Sequence, residues 1–452
     1  MDLTIPTRRQ FLSSAAGCLA ATALGGCGGR RPIRRRPNII LIMADDLGYC
    51  DSGCYGGTAA RTPNIDRLAA EGLVFTDFHA NAPMCSPTRA ALLTGRYQQR
   101  CGIEGVFGSF TKKPYGMEHS ETTFAEILKA SGYATGIFGK WHTGQPPEYG
   151  PLRQGFDEWR GVYGGADYHS HVNRVGRDNW WHNEELSPEK GYITDLVSRH
   201  AVNFIETNRE RPFCLYVAHF AVHFPWQGPG GRADFSKGVD NSSTESKYGS
   251  RTDRGAAYAE MIESLDRSIG DIVGAVRRLK LTGDTFIFFT SDNGGHELVA
   301  DNGPLRGYKG SLWEGGIRVP AIAWWPGRIQ PGAAAAETAV TMDLFPTIAA
   351  IAEASVPVDL SLDGRDLSPV LFNSAALAQR TLFWRYHGQR AVRRGQWKLI
   401  SRGGFFELYN LDDDIGETND IVASIPKLAA ELAAEYRRWE KDVTSGVTWI
   451  RR

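Results

Sequence analysis

Short, almost purely apolar segments alternate with longer amphipathic ones along most of the chain. Residues 38–44 and 285–291 are nearly continuous apolar runs, as expected of central strands that are buried on both faces. Residues 133–138 and 213–222 are similar, and residues 256–281 repeat apolar side chains at helical spacing. This alternation predicts an α/β fold with a large, mostly parallel sheet flanked by helices on both faces.

The pattern changes near residue 371. Four short strand-like runs, mostly separated by glycine-bearing turns, precede a helical segment at residues 424–443. The four runs are residues 381–386, 389–393, 397–400 and 405–410. The sequence therefore predicts a main domain over residues 38–370 and a C-terminal subdomain over residues 371–452, in which a small antiparallel sheet is followed by a helix.

Oxygen-bearing side chains follow the two clearest strands. Asp45 and Asp46 come directly after the first run, and Asp292 and Asn293 come directly after the second. Open α/β sheets bind ligands beyond the carboxyl ends of their strands, so these four side chains are expected to lie together. Oxygen donors without histidine or cysteine favour Ca²⁺, with Mg²⁺ as the alternative, over zinc. One such pair equally fits ordinary turn chemistry, whereas two pairs favour a metal site.

A second candidate centre is the segment Cys85-Ser86-Pro87-Thr88-Arg89, which opens an amphipathic helix. The first turn of a helix offers unpaired N–H groups and a positive dipole end to an oxyanion. Pro87 is tolerated in that turn, and Arg89 adds a permanent cation with a planar fork of donors. Taken alone, this string fits a capped helix with a buried thiol equally well.

Three further motifs carry lysine or histidine side chains at the ends of predicted strands or in glycine-rich segments. They are Gly139-Lys140-Trp141-His142, His223-Phe224-Pro225, and Lys309 within residues 306–320. In this order, and together with the Cys85 segment, they resemble the formylglycine-dependent sulfatases of the alkaline phosphatase superfamily. The resemblance is to arylsulfatases and N-acetylgalactosamine-6-sulfate sulfatases, and it covers nearly all of the chain beyond its N-terminal segment.

The resemblance implies a modified cysteine and a bound metal ion. A formylglycine-generating enzyme would oxidise Cys85 to an aldehyde, and the hydrated aldehyde would be the nucleophile. The implied metal ligands are Asp45, Asp46, residue 85, Asp292 and Asn293. Arg89, Lys140 and Lys309 would surround the remaining charge of a sulfate ester, where charge builds up in the transition state.

The resemblance also implies which residues act as acids and bases. Asp292 is the expected base for attack on sulfur, and His223 with Lys309 is the expected acid for the leaving oxygen. His142 would deprotonate the second hydroxyl of the hydrate, so that sulfate is expelled. His219, four residues before His223, could compete for its role but fits a structural role better.

The implied reaction is hydrolysis of sulfate monoesters, with sulfated carbohydrates as the expected substrates. Lys140, His223 and Lys309 are the predicted substrate contacts, and His296 is added on position alone. One alternative is a phosphonate or phosphodiester hydrolase of the same superfamily. Another is a binding protein that keeps the fold without the chemistry. Lys+Arg and Asp+Glu number 51 each, so no overall charge favours nucleic acid as a partner.

Two long connections interrupt the alternation of strands and helices. Residues 144–192 are rich in Gly, Trp, Tyr and His, and they fit equally a plain connection or a wall of the substrate pocket. In the second case the rings of Trp180 and Trp181 could stack on a sugar. Residues 226–254 are polar and rich in Gly and Ser, which favours a lid or a loose insertion.

The N-terminus is predicted to be an export signal. Thr7-Arg8-Arg9-Gln10-Phe11-Leu12 resembles a twin-arginine motif, and the apolar run at residues 12–24 is too short to span a membrane. Leu24-Gly25-Gly26-Cys27 resembles a lipoprotein cleavage box, with cleavage without lipid as the alternative.

This reading divides the N-terminal region into a signal peptide over residues 1–27 and a linker over residues 28–37. It predicts a periplasmic or cell-envelope enzyme that meets the twin-arginine export machinery transiently. The membrane would be touched only through a lipid on Cys27. In an oxidising periplasm Cys50 and Cys54 could form a disulfide, as could other pairs that include Cys101 and Cys214.

Overall fold

The computed structural model describes residues 36–108, 114–241, 243 and 247–450. The predicted signal peptide, Cys27 and most of the predicted linker lie outside these residues. Within the described part, no helix combines the length and the apolar character that a membrane span requires.

The elements alternate as predicted over the first three quarters of the chain. The strands are β1 Asn38–Ala44, β2 Leu73–Phe75, β3 Phe78–His79, β4 Ala134–Lys140, β5 Glu158–Val162, β6 Trp181–His182, β7 Glu185–Leu186, β8 Phe213–Ala218, β9 Thr285–Ser291, β10 Ala321–Trp324, β11 Ala333–Ala335, β12 Ala339–Val340, β13 Thr381–Tyr386, β14 Gln389–Arg394, β15 Trp397–Arg402 and β16 Phe405–Asn410. The α-helices are α1 Pro63–Glu71, α2 Cys85–Thr94, α3 Phe124–Ala130, α4 Ile193–Asn208, α5 Arg254–Arg278, α6 Glu314–Ile317, α7 Leu344–Ile351, α8 Ser368–Asn373 and α9 Pro426–Thr444. Short 3-10 helices occupy Gly53–Tyr55, Pro151–Gln154, Thr282–Asp284 and Thr341–Asp343.

A ten-stranded sheet forms the centre of the molecule, in the order β11-β2-β10-β9-β1-β8-β4-β5-β6-β7. Its middle strands β9, β1, β8 and β4 run parallel, whereas β10 is antiparallel to its neighbours β9 and β2. The prediction of a large, mostly parallel sheet is therefore confirmed.

Helices cover both faces of this sheet, which explains why β1 is apolar at every position. Ile39, Leu41 and Met43 point into one core, which also contains side chains of α2, α3 and α7. Ile40 and Ile42 point into the opposite core, which contains side chains of α1, α4 and α5. Alternate residues of one strand thus serve two separate apolar layers.

A second, four-stranded antiparallel sheet contains β13 to β16 in chain order, as predicted. Leu432, Tyr436 and Trp439 of α9 pack into the same apolar cluster as this sheet. Leu312 and Trp313, which flank the start of α6, belong to that cluster too. The small sheet is therefore in direct contact with the segment that carries Lys309.

Four predicted strands end at a different residue in the structure. Two are in the C-terminal sheet, where β14 ends at Arg394 and β15 at Arg402. The other two are in the main sheet. The strand predicted over residues 133–138 continues to Lys140, and the one predicted over residues 213–222 ends at Ala218. Gly139 makes the longer strand feasible, because it has a φ of +111° and a Cβ there would lie 1.9 Å from the carbonyl oxygen of Ala218.

All five described cysteines are free thiols, so the structure contains no disulfide between Cys50 and Cys54.

A buried charge network joins the small sheet to the main body. The ammonium group of Lys398 on β15 lies 2.9 Å from Glu314 Oε1 and 2.8 Å from Glu417 Oε1, and all three side chains are fully buried. Glu417 Oε2 in turn accepts a hydrogen bond of 2.7 Å from the backbone N–H of Glu314. Removal of the lysine would leave the buried Glu417 without its cation. Glu314 would keep only the weaker ion pairs of its other oxygen with Arg318 and Arg393, at 3.4 and 3.7 Å.

We therefore expect Lys398→Ala to lower the free energy of unfolding by about 3–5 kcal/mol, the usual cost of stranding a buried charge. Arg394→Ala is the matched control, because Arg394 pairs with Glu431 and Glu435 near the surface. Such exposed pairs contribute about 0–1 kcal/mol. Urea unfolding of both variants measures the difference, and equal losses would contradict a structural role for the buried network.

Candidate active site

Four oxygen-bearing side chains meet where β1 and β9 end. These strands are parallel and in register, with Ala44 opposite Ser291, so the residues that follow them emerge side by side. They are Asp45, Asp46, Asp292 and Asn293, and all four are buried. Asn293 donates a hydrogen bond of 2.8 Å to Asp46 Oδ1, and the backbone N–H of Asp46 lies 3.3 Å from Asp292 Oδ1.

Cys85 joins this group because it is the first residue of α2. Cys85, Asp45 and Asp292 present one candidate ligand atom each within 4.8 Å of one another. Asp45 Oδ1 and Asn293 Oδ1 are buried and accept no hydrogen bond in the described structure. A buried oxygen without a partner is costly, and a divalent cation would satisfy both of these. The residues present therefore fit a hard cation such as Ca²⁺ or Mg²⁺.

Arg89 lies behind the carboxylates rather than in front of them. Its guanidinium donates hydrogen bonds of 3.0 and 2.7 Å to Asp292 Oδ2 and one of 3.2 Å to Asp45 Oδ2. A further bond of 3.1 Å reaches the carbonyl of Lys140, and the hydroxyl of Tyr216 lies 3.4 Å away. Arg89 is fully buried and does not line the cavity described below, which differs from its expected place around the substrate. It orients the carboxylates instead.

Charge is balanced within this cluster. Three carboxylates (Asp45, Asp46 and Asp292) face three cations (Arg89, Lys140 and Lys309). Lys140 Nζ lies 2.7 Å from Asp45 Oδ2, and Lys309 Nζ lies 2.5 Å from Asp46 Oδ1. A divalent ion added here would make the centre positive, which suits an anionic ester.

The two central carboxylates have opposite pKa shifts. Burial by itself would raise the pKa of Asp45, but the positive charges of Lys140 and Arg89 hold it well below its usual range. For Asp292, burial and then the charge of Asp45 raise the pKa to about 6. Without a metal ion, therefore, any proton that enters this pair is held by Asp292.

His142 contacts the predicted nucleophile directly. Its Nδ1 lies 3.2 Å from Cys85 Sγ, and its Nε2 lies 3.1 Å from the carbonyl oxygen of Phe107. A carbonyl only accepts, so Nε2 carries the proton and Nδ1 is free to receive one from residue 85. Burial, followed by the charge of Lys140, sets the pKa of His142 well below its usual value. His142 is therefore neutral and a proton acceptor.

His223 and Lys309 both lie beside Asp46. His223 Nδ1 lies 2.6 Å from the carbonyl of Phe224, and its Nε2 lies 3.8 Å from Asp46 Oδ2. Burial and then the charges of Lys309 and Lys140 lower its pKa well below the usual value. Burial by itself would lower the pKa of Lys309, but the negative charge of Asp46 raises that pKa above its usual value. Of these two side chains, Lys309 is the one that carries a proton near neutral pH.

Burial also raises the pKa of the Cys85 thiol. The unmodified side chain is therefore protonated near neutral pH and a weak nucleophile. This environment argues against direct catalysis by a thiolate.

A cavity of about 430 Å³ opens onto these groups. The predicted residues that line it are Cys85, Lys140, His142, His223, His296 and Lys309. His296 packs edge-on against Trp226, with ring centroids 5.3 Å apart. The structure thus brings all the predicted substrate contacts to one cavity.

Both long connections contribute to the wall of this cavity. Residues 144–192 supply Tyr163, Asn173, Arg174 and Asn179, and residues 226–254 supply Phe235 and Lys247. The sequence alone did not single out these six, because isolated residues in long loops carry no recognisable spacing.

The expected stacking of Trp180 and Trp181 on a sugar differs from the structure. Both rings are buried, Trp180 donates to Glu189, and Trp181 stacks on Trp159. The aromatic rings that do line the cavity include Tyr163, Phe107 and Phe224. Trp181 instead supports the wall by donating a hydrogen bond of 3.2 Å to Asn179.

Comparisons with known proteins agree with this arrangement. A family model described as Sulfatase matches residues 37–354, and another, described as N-sulphoglucosamine sulphohydrolase, C-terminal, matches residues 308–441. N-acetylgalactosamine-6-sulfatase of Sus scrofa is 36% identical over 405 residues, which cover 84% of this chain and 74% of that protein. Arylsulfatase A of Homo sapiens is 34% identical over 439 residues, which cover 89% of this chain and 82% of that protein.

Solved structures give the same result. Ps i-CgsB, in complex with k-i-k-neocarrahexaose, has a TM-score of 0.80 and 33% identity, and the match covers 91% of this chain and 94% of that one. Phosphonate monoester hydrolase of Agrobacterium radiobacter shares the fold, with a TM-score of 0.64 and 19% identity over 90% of this chain and 96% of that one.

The sheet, its helices and the polar centre at its carboxyl edge, together with the matching family models and relatives, define an ester hydrolase of the alkaline phosphatase superfamily. The chain belongs to the sulfatase family. It is a sulfuric ester hydrolase, and enzymes of this family generally use a metal ion and formylglycine.

His219 has the structural role that the sequence favoured. It is fully buried, its Nε2 lies 3.1 Å from Ser268 Oγ, and it does not line the cavity. Burial lowers its pKa from 6.5 to about 3. Between pH 6.5 and pH 3 this histidine is protonated in the unfolded chain but neutral in the folded chain. The free energy of unfolding is therefore highest above about pH 6.5 and decreases as the pH falls below it.

We expect the loss from His219 alone to reach about 2 kcal/mol at pH 5. His219→Gln, which keeps a polar partner for Ser268 but cannot be protonated, should be less stable than the wild type at pH 7. The difference in free energy of unfolding between this variant and the wild type should then be smaller at pH 5 by about 2 kcal/mol. Urea unfolding at both pH values measures it, and a constant gap would contradict a neutral buried histidine.

Proposed function

We propose that this enzyme removes sulfate from sulfated carbohydrates through a formylglycine made from Cys85 and a bound divalent metal ion. The observation that carries the proposal is that Cys85, Lys140 and Lys309 line one cavity. Buried carboxylates lie directly beside them, since Asp45 and Asp292 cluster with Cys85 and the two lysines contact Asp45 and Asp46. Two names among the similar proteins support a carbohydrate substrate, the N-acetylgalactosamine-6-sulfatase and the structure bound to a neocarrahexaose.

Asp45, Asp46, Asp292 and Asn293, with residue 85, are the groups that would hold the metal ion, and Ca²⁺ is the preferred candidate. When bound, the ion supplies Lewis-acid polarisation of the ester and offsets the charge of its oxygens. Arg89 keeps Asp45 and Asp292 in place through its fork of hydrogen bonds. Lys140 and Lys309 present their charges to the sulfate group from the cavity wall.

Formylglycine at position 85 would supply two hydroxyl groups on one carbon, one to attack sulfur and one to let the sulfated residue release its sulfate. Asp292 is placed to accept the proton of the attacking hydroxyl, since it lies beside residue 85 in the same buried cluster. His142 Nδ1 is placed to accept the second proton.

The leaving oxygen must receive a proton. His223 is neutral and offers an acceptor atom beside Asp46, whereas Lys309 carries a proton in the same region. We infer that Lys309 is the source of this proton and that His223 hydrogen-bonds to the leaving group or relays the proton to it.

The decisive experiment measures free sulfate from a panel of sulfated mono- and oligosaccharides, with an aryl sulfate and an aryl phosphodiester alongside. We expect release from at least one sugar, loss of more than about a thousandfold in Cys85→Ala, and recovery after chelation when Ca²⁺ is returned. Mass spectrometry of the peptide that carries residue 85 should reveal an aldehyde. Phosphodiester turnover without sulfate release would instead support the phosphonate or phosphodiester hydrolase.

We also propose that the protein is exported through the twin-arginine route and anchored by a lipid on Cys27, at the periplasmic side of the cell envelope. The motif at residues 7–12 and the box at residues 24–27 support this proposal.

In the native host, labelled palmitate should enter the wild type and be absent from Cys27→Ala. The double substitution Arg8→Lys and Arg9→Lys should keep the protein in the cytoplasm. Export of the wild type without label would indicate cleavage without lipid, and export of the double-lysine variant would contradict the twin-arginine route.

A further inference from the structure

The turn that carries Lys309 is held by backbone hydrogen bonds to both halves of the active site. The N–H of Lys309 donates to the carbonyl of Gly295 at 3.0 Å, and the N–H of Gly310 donates to the carbonyl of Pro83 at 2.9 Å. Gly295 lies two residues after Asn293, and Pro83 lies two residues before Cys85. The position of this turn therefore decides where the Lys309 ammonium lies relative to the nucleophile and the carboxylates.

A third attachment comes from the small C-terminal sheet. Gln389, the first residue of β14, donates a hydrogen bond of 3.0 Å from Nε2 to the carbonyl of Gly310. Its Oε1 accepts a hydrogen bond of 3.1 Å from the N–H of Leu312. The donor and the acceptor of one side-chain amide thus both hydrogen-bond to the same turn, at the residues before and after Ser311. Gln389 does not line the cavity, so it acts on Lys309 and not on the substrate.

The backbone around Gln389 makes it a rigid support. His387 and Gly388 have φ values of +44° and +79° and join β13 to β14 as a two-residue turn, with Tyr386 opposite Gln389. Positive φ at both central residues is the mark of the hairpin turn whose twist matches that of its strands. The sheet itself is fixed to the main body by the buried Lys398–Glu314 pair.

We propose that Gln389 is a positioning residue for Lys309, through which the C-terminal sheet sets the geometry of the active site. The turn contains Gly307 and Gly310, both at positive φ, so its backbone has conformations available if this attachment is lost. A displacement of about 1 Å at a catalytic group can cost about a hundredfold in rate. The activity part of this inference rests on the proposed function, whereas the attachment itself does not.

The kinetic test is Gln389→Ala, assayed on whichever sulfate ester the wild type hydrolyses. We expect kcat to fall about tenfold to a hundredfold while KM changes less than about threefold. Gln389→Glu keeps the acceptor for Leu312 but loses the donor to Gly310, so its kcat should be intermediate. Gln396→Ala is the matched control, a glutamine of the same sheet at the β14–β15 turn, and should match the wild type in kcat and melting temperature.

A double-mutant cycle separates positioning from general damage. If Gln389 acts through Lys309, then Gln389→Ala should have almost no further effect on kcat in the Lys309→Ala background. A full additional loss there, or a wild-type kcat in Gln389→Ala, would overturn the proposal.

Hydrogen exchange supplies a readout that needs no substrate. The amide of Leu312 should exchange at least about tenfold faster in Gln389→Ala and stay protected in Gln389→Glu and Gln396→Ala. Unchanged exchange at Leu312 in Gln389→Ala would overturn the proposal even in an active enzyme. An enzyme that hydrolyses no sulfate ester yet loses this protection would contradict the proposed function and leave the attachment established.

Discussion

Three carboxylates buried side by side at the ends of β1 and β9 impose the main constraint on this structure. Like charges this close are tolerated only with compensation, and the fold provides it from three separate elements. Arg89 comes from α2, Lys140 from the end of β4, and Lys309 from the turn before α6. Each cation contacts a carboxylate directly. The chemistry of the centre follows from this balance, because an added divalent ion turns a neutral cluster into a site for an anionic ester.

The same constraint explains why buried, neutral histidines surround the centre. His142 and His223 each donate a hydrogen bond from one ring nitrogen to a backbone carbonyl, and the other ring nitrogen faces the site. Burial beside lysines disfavours a further positive charge, so both rings are neutral and can accept protons. Fixed tautomers of this kind give each histidine one defined direction of proton transfer.

The C-terminal sheet is part of this arrangement and not an appendage. It reaches the Lys309 turn through Gln389 and anchors α6 through Lys398. The parallel sheet alone positions the nucleophile and the oxygen donors, since β1, β9 and the start of α2 belong to it or pack on it. One cation of the site, however, depends on contacts made more than seventy residues later in the chain.

The sequence by itself determined the elements and most members of the site, because their signals are local. Continuous apolar runs mark strands that are buried on both faces, and acidic residues directly after them mark the sheet edge where ligands bind. Motif order supplied Lys140, His142, His223 and Lys309. Tertiary structure alone decided what these residues touch. It put Arg89 behind the carboxylates, buried Trp180 and Trp181, and raised the pKa of Asp292 while lowering that of Asp45. Those outcomes depend on burial and on charges distant in the chain, which no local pattern encodes.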